Sequence, residues 1–434
     1  MYLAAGRSGP ATGPTSATSP ASPASPVPER RSTRVTSTVV TLGAVSLVTD
    51  ISSEMVTAVL PLYLVLQLGL NPLQFGFLDG LSNGVTALVR LAGGHLADRR
   101  GRHKLVAGSG YALSALCKLG LLLGGGSTGA LSATLAADRV GKGIRTAPRD
   151  ALITLSCDER DLGRAFGVHR AMDTTGALLG PLLAFALLWL TVDAYDAVFM
   201  VSFCFALFGV LLLYAFVPGP QPSTSPTPRP PRMRAVLRLA AVPAFRRLLT
   251  TATLLGLVSV GDGFLYLVLQ KRLELDPAYF PLLPLGSAAV YLLLAVPIGR
   301  AADRKGRRTP YLLGHLGLLG AYLALSCPLP QWPLTIAVVA LLGTYYAATD
   351  GVLMALGGPS IPVEQRGAGL ALLQSGQAVG RLLASILFGA VWTLWSMQTA
   401  LTLAAVALTV TLFIARFLLT ARPTPTPTPT PTES

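Results

Sequence analysis

GGHLADRRGR, Gly93 to Arg102, returns 205 residues later as IGRAADRKGR, Ile298 to Arg307. The flanking sequence extends the match. LGLNPLQF from Leu68 answers LELDPAYF from Leu273 at the same offset of 205 residues, and LYLVLQ occurs at Leu62 and again at Leu265. Chance agreement does not hold one offset across separate strings, so the chain carries a duplicated unit. In each copy an apolar run ends in an acid, basic residues and a glycine, and a second apolar run follows. Glycine at 101 and 306 suits a tight turn between antiparallel helices.

The runs around these turns set the class. Hydrophobic residues make up 52% of the 434 residues and charged ones only 12%, about half the share of a soluble domain. Crossing about 30 Å of hydrocarbon takes roughly 20 apolar residues, and a lipid-exposed backbone must satisfy its own hydrogen bonds. Twelve runs qualify as helical spans: 38–66, 73–97, 104–125, 129–154, 161–190, 196–217, 247–270, 280–301, 309–327, 332–356, 367–392 and 396–419. The expected fold is an all-α membrane protein, with twelve transmembrane helices in two six-helix repeats around a central cavity. Duplicated transporters place the solute site between their repeats near the midplane.

The domain reading follows. Residues 1–37, rich in Ser, Thr, Pro and Ala, read as a disordered arm. Residues 38–217 form the N-terminal half and 247–420 the C-terminal half. The Pro- and Arg-rich stretch 218–246 links them, and 421–434 is an extended Thr-Pro tail. No apolar segment follows an N-terminal charge cluster, so the first span serves as an uncleaved helix.

The net charge of +14 does not point to nucleic acid, because the cations sit at the ends of apolar runs. Lys and Arg favour cytoplasmic loops. The even-numbered connections carry them, at Arg99, Arg100, Arg102, Lys104, Arg160, Arg164, the central linker, Arg304, Lys305, Arg307, Arg308 and Arg366. Among the odd-numbered connections Lys271 and Arg272 are the exception. Both termini are therefore expected in the cytoplasm, with the chain in the cell membrane. Cys117, Cys157, Cys204 and Cys327 are scattered, as are the histidines, so neither a metal nor a cofactor is expected.

The charged turns resemble the loop between helices 2 and 3 of the major facilitator superfamily. Gly94, Leu96, Asp98, Arg99, Gly101, Arg102 and Lys104 carry the first copy. Gly299, Asp303, Arg304, Gly306, Arg307 and Arg308 carry the second. Arg139, Gly141 and Gly143 resemble the family's helix 4 motif, and Gly176, Gly180 and Pro181 its antiporter-associated helix 5 motif. The likeness covers residues 38–420. It implies a gating role for these turns, with Asp98 meeting the start of helix 11 near Gly367 and Arg102 pairing with Asp150. The plainer reading of the turns is a set of solvated charges that orient the chain.

Ionisable residues inside spans are costly and usually face a cavity or a partner. Asp50 and Glu54 lie one helical turn apart in the first span, and Asp262 lies in the seventh. These acids are candidates for proton coupling; the alternative is acids neutralised by arginine. The fourth span carries Arg139, Lys142, Arg145 and Arg149 on one face. Asp138 is placed to pair with Lys142, and Arg139 with Asp50 or an anionic solute. Arg170 and Asp173 form an i,i+3 pair in the fifth span. Arg90 and Lys118 add to a surplus of cations, which would favour an anion. Alternatively Arg145 and Arg149 snorkel to the surface. Arg381 in the eleventh span needs a cross-helix partner or a solute, and Tyr345 and Tyr346 either line the cavity or pack. Small-residue stripes at Gly76, Gly80 and Gly84, and at Gly376 and Gly380, mark close helix contacts within or between halves.

The expected function is secondary transport of a small organic solute, coupled to protons and directed outward, by a monomer in lipid. The alternatives are an uptake symporter and a non-transporting membrane sensor. The chain shows no HExxH, GxSxG or Walker A pattern, so neither an enzyme nor an ATP-driven pump is expected.

Overall fold

The structure, a computed structural model, describes residues 36–97, 103–123, 127–157, 161–191, 194–217, 238–362 and 365–420. The N-terminal arm up to 35, most of the central linker, the Thr-Pro tail and Asp98, Arg99, Gly101 and Arg102 of the first motif turn lie outside them. Gly94 falls within the second helix.

Among the described residues thirteen α-helices build the bundle. They are α1 Ser37–Leu62, α2 Pro72–Ala97, α3 His103–Leu123, α4 Thr128–Leu155, α5 Leu162–Thr191 and α6 Tyr195–Phe216 in the first half. The second half contains α7 Pro243–Leu257, α8 Asp262–Leu273, α9 Leu282–Lys305, α10 Arg308–Ser326, α11 Gln331–Gly357, α12 Arg366–Leu394 and α13 Met397–Thr420. Together they make twelve spans, because α7 and α8 are two pieces of the seventh. α1 runs on into a π-helical turn at Tyr63–Gln67.

The seventh span differs from expectation in two ways. The seventh span starts at Pro243 rather than 247, where proline occupies the first turn of α7; its missing N–H would have no helical partner there in any case. The same span is also broken at Val258–Gly261. Tyr322 on α10 mends the break. Its hydroxyl accepts from the Val260 N–H at 2.9 Å and donates to the Val258 carbonyl at 3.1 Å. Non-helical backbone survives at membrane depth only with such replacements.

Among the described residues nine spans are apolar and long enough to cross a membrane by composition alone. The other three are α2, α4 and α10. α4 falls short because Asp138, Arg139, Lys142, Arg145, Arg149 and Asp150 interrupt it. Large apolar side chains point outward, including Leu123, Leu190, Leu293, Trp332, Phe413 and Phe417. A soluble protein rarely carries so much exposed apolar surface.

The packing repeats with the sequence. α1 packs on α5 and α6, α2 on α4, and α3 on α4 and α6. In the second half α7 packs on α12 and α13, α9 on α11, and α10 on α11 and α13. The halves meet along two seams related in the same way, α2 with α12 and α5 with α9. An even number of spans puts the start of α1 and the end of α13 on one face, called here the chain-end face; the opposite one is the far face.

Among the described residues, contacts across the halves gather toward the far face. Gly80 of α2 leaves no room for a side chain, since a β-carbon there would lie 2.8 Å from the Leu382 carbonyl oxygen. A β-carbon on Gly76 would fall closer still to the Ser385 carbonyl. The glycine stripe of α2 thus serves the contact between halves, whereas Gly376 and Gly380 pack against α7 within one half. The Leu73 N–H in the first turn of α2 donates to the Thr393 hydroxyl of α12 at 3.0 Å. Aromatic rings complete the seal. Phe264 of α8 stands edge-on to Phe75 of α2 at 4.8 Å between centroids and to Phe388 of α12 at 4.9 Å. Tyr279, just before α9, meets Phe185 and Trp189 of α5 at 5.8 and 5.5 Å.

Candidate solute cavity

Between the halves lies a cavity of about 510 Å³. It runs from Asp79 and Asp262 toward Met354 and Ala371, close to the chain-end face. Six charged side chains line it: Asp79, Asp262 and Asp350 with Arg139, Lys142 and Arg381. The rest of the lining is small and polar, including Thr57, Ser82, Gln374 and Gln377. A smaller chamber of about 90 Å³ lies beyond it and shares Asp79, Arg139 and Asp262. Its other walls are apolar, among them Pro61, Leu64, Phe75 and Phe280.

Helix geometry explains the cationic side of the cavity. Arg139 and Lys142 stand three residues apart on α4 and so project to one side. Lys142 is 3.5 Å from Glu54 of α1. Arg139 makes no hydrogen bond or ion pair with any described residue. From the other half, Arg381 donates to the Tyr345 hydroxyl at 3.0 Å, and Tyr345 lies 3.4 Å from Ser259. Asp262 opens α8, where its carboxylate accepts from the Gly263 N–H at 3.0 Å.

The remaining acids of the first half form a network behind the cavity wall. Asp50 of α1 pairs with Arg145 at 3.3 Å, not with Arg139. Arg139 and Arg145 are six residues apart and point different ways on α4. Asp138 pairs across to Lys118 of α3 at 2.6 Å and accepts from Ser114, rather than bonding Lys142 on its own helix. Arg149 reaches Asp150 at 3.1 Å and Asp173 at 3.6 Å, and Arg170 meets Asp173 at 3.5 Å. The Ser46 hydroxyl lies 3.0 Å from His169 and accepts from Arg149.

These contacts correct two expectations. Arg145 and Arg149 do not snorkel; they are held by carboxylates of α1, α4 and α5, and Arg145 is buried against the Tyr111 ring. Asp150 is bonded by Arg149, the neighbouring residue; its expected pairing with Arg102 falls outside the described residues. Among the described residues the cavity has no cationic surplus, since its three cations face three carboxylates. Of the residues singled out in the sequence, Arg139, Lys142, Asp262 and Arg381 meet in the cavity. Asp50, Glu54, Arg170 and Asp173 belong to the network. Asp79, Asp350 and Ser385 escaped the sequence reading. The signal for the first two was available: each acid stands within an apolar run.

In the second motif turn, Gly306 adopts φ 94° and ψ 143°, a conformation open to glycine. Arg307 donates to Asp303 at 3.3 Å and to the Ala355 carbonyl near the end of α11 at 2.7 Å. A cation there suits the exposed carbonyls of a helix C-terminus. Arg304 is exposed beside it.

The profile of the Major Facilitator Superfamily matches residues 42–288 and 262–434, nearly the whole chain. This protein belongs to the Major Facilitator Superfamily. An uncharacterized MFS-type transporter of Methanocaldococcus jannaschii is 26% identical over 358 residues, covering 81% of this chain and 87% of the relative. The multidrug resistance protein MdtH of Photorhabdus laumondii is 28% identical over 272 residues, covering 59% of this chain and 62% of that protein. The crystal structure of the nucleoside transporter NupG superposes with a TM-score of 0.73 at 14% identity, over 89% of this chain and all of the other. At that identity the likeness is one of fold. The superfamily member described here is a multi-pass membrane transporter of twelve helices in two repeats.

Proposed function

We propose that the chain carries a small, polar organic solute out of the cell through the central cavity by alternating access, driven by inward proton movement. The cavity carries this reading. It lies between the repeats, is lined by six charged groups, and reaches toward one face while contacts between the halves gather at the other. Loop charge supports a cytoplasmic chain-end face in the cell membrane, and in that orientation the cavity is accessible from inside. The resemblance to a multidrug resistance protein supports the outward direction.

Arg139, without a hydrogen bond or ion pair among the described residues, and Arg381, held by a phenol, are the groups placed to bind a solute anion. Asp262 stands opposite them as a carboxylate able to exchange a proton or meet a solute cation. Asp50 and Glu54, paired with Arg145 and Lys142, hold α1 to α4, and Glu54 enters the proton path when Lys142 turns to the solute. The second motif turn, Asp303 to Arg307, ties α9 to α11 and acts in gating, as does its first copy with Asp98.

The test is transport in vesicles of reconstituted protein under an imposed pH gradient, with neutral, cationic, anionic and zwitterionic compounds offered in parallel. Gradient-driven movement of at least one compound against its own gradient is expected, in the direction opposite to proton flow. Movement in the same direction as protons makes the protein an uptake symporter. No movement of any compound under either gradient refutes the reading. Reporter fusions after Ser434 and within 221–231 should both read cytoplasmic.

A further inference from the structure

The far-face seal is built from rings, glycines and backbone, and a carboxylate is set into it. Asp79 of α2 reaches across the seam between the halves. Ser385 of α12, itself fully buried, donates to its Oδ2 at 2.6 Å. The same oxygen stands where a β-carbon on Gly261 would fall, in the break of the seventh span. Asp79 also lines both the 510 Å³ cavity and the 90 Å³ chamber. One carboxylate therefore touches α12 and the break, and faces the space that a solute would occupy.

The repeat shows that this contact is not a by-product of the fold. Counted on by 205 residues, Asp79 corresponds to Pro284, and counted back, Ser385 corresponds to Gly180. The α5–α9 seam, related to the α2–α12 seam by the duplication, has no polar pair at this position. The bond is specific to one seam, and it must break whenever α2 and α12 part at the far face.

We infer that Asp79 is the latch of the far-face gate: its bond to Ser385 holds that face shut and sets the balance between the two access states. This rests on the alternating-access reading proposed above. It acts on conformation, so Asp79 and Ser385 are positioning residues in this role.

The test needs no solute, so it stands or falls apart from the vesicle assay. In full-length protein in lipid nanodiscs, Cys117, Cys157, Cys204 and Cys327 are replaced by serine. Spin labels are then attached at Leu123→Cys and Leu329→Cys, two exposed positions at the far-face ends of the two halves. Pulsed spin-resonance distances report how often the halves part. Ser385→Ala removes the donor, keeps the charge and changes little volume; it is expected to raise the separated population relative to the closed one about tenfold or more. Asp79→Ala should do the same, and Asp79→Asn less, because the amide oxygen still accepts. Unchanged distances in both alanine variants overturn the latch. So does a shift in Asp79→Ala with none in Ser385→Ala, because the hydroxyl would then not be the partner.

Discussion

Lys118 and Asp138 offer a direct measure of how the first half is held together. The ammonium and carboxylate are 2.6 Å apart, and their side chains are 3% and 17% exposed. Ser114 adds hydrogen bonds to both. Lys118→Met keeps the length and apolar stem but strands the carboxylate. Removing one partner of a buried ion pair costs about 3–5 kcal/mol, whereas replacing both by apolar groups of similar size is often neutral or favourable. Lys118→Met should therefore lower the unfolding free energy by about 3–5 kcal/mol, and Lys118→Met with Asp138→Leu should recover all but about 1 kcal/mol of it. Reversible unfolding in mixed SDS micelles, followed by far-ultraviolet circular dichroism, gives both values. A single variant within about 0.5 kcal/mol of the parent, or a double variant no better than the single, would refute the account of this pair as a mutually compensated buried charge.

Other consequences are open to measurement. Arg139→Ala should weaken solute affinity about tenfold or more in the vesicle assay, and Arg139→Lys should restore little of it, since an ammonium does not reproduce a two-point guanidinium contact; parent-like affinity in Arg139→Ala would remove this residue from the binding site. Tyr322→Phe strips the break of a donor and an acceptor and should destabilise the protein by about 2 kcal/mol in the same SDS assay. Gly306→Val forces a β-branched residue to φ 94° and should cost about 1–3 kcal/mol, seen as a lower melting temperature in detergent, while Gly299→Ala, with open space around it, should melt like the parent.

Much of the fold was legible in the sequence because a membrane reduces the problem to length, apolarity and repeat. Eleven spans lie where the apolar runs place them, give or take a few residues. The seventh does not, because nothing in LLGLVSVGDGF distinguishes a helix from a break until Tyr322 is near enough to bond Val258 and Val260. The site was legible in part. Composition revealed Arg139, Lys142, Asp262 and Arg381 as charges in apolar surroundings. Pairing was not readable, since it depends on rotation between helices: Asp138 passes over Lys142 on its own helix for Lys118 on α3, and Asp50 meets Arg145. The partner of Arg381 is a phenol, a choice that a search for acids does not find.

The break in the seventh span also bears on how the protein reaches the membrane. At 1.5 Å per residue, the 15 residues of α7 and the 12 of α8 reach about 22 and 18 Å, short of the roughly 30 Å of hydrocarbon. Neither piece can insert alone. They cross the hydrocarbon as one unit, and that unit has all its backbone groups satisfied only once Tyr322 of α10 is in place. Some fifty residues separate the end of α8 from Tyr322, so the backbone of the seventh span is completed only by a side chain two spans further along.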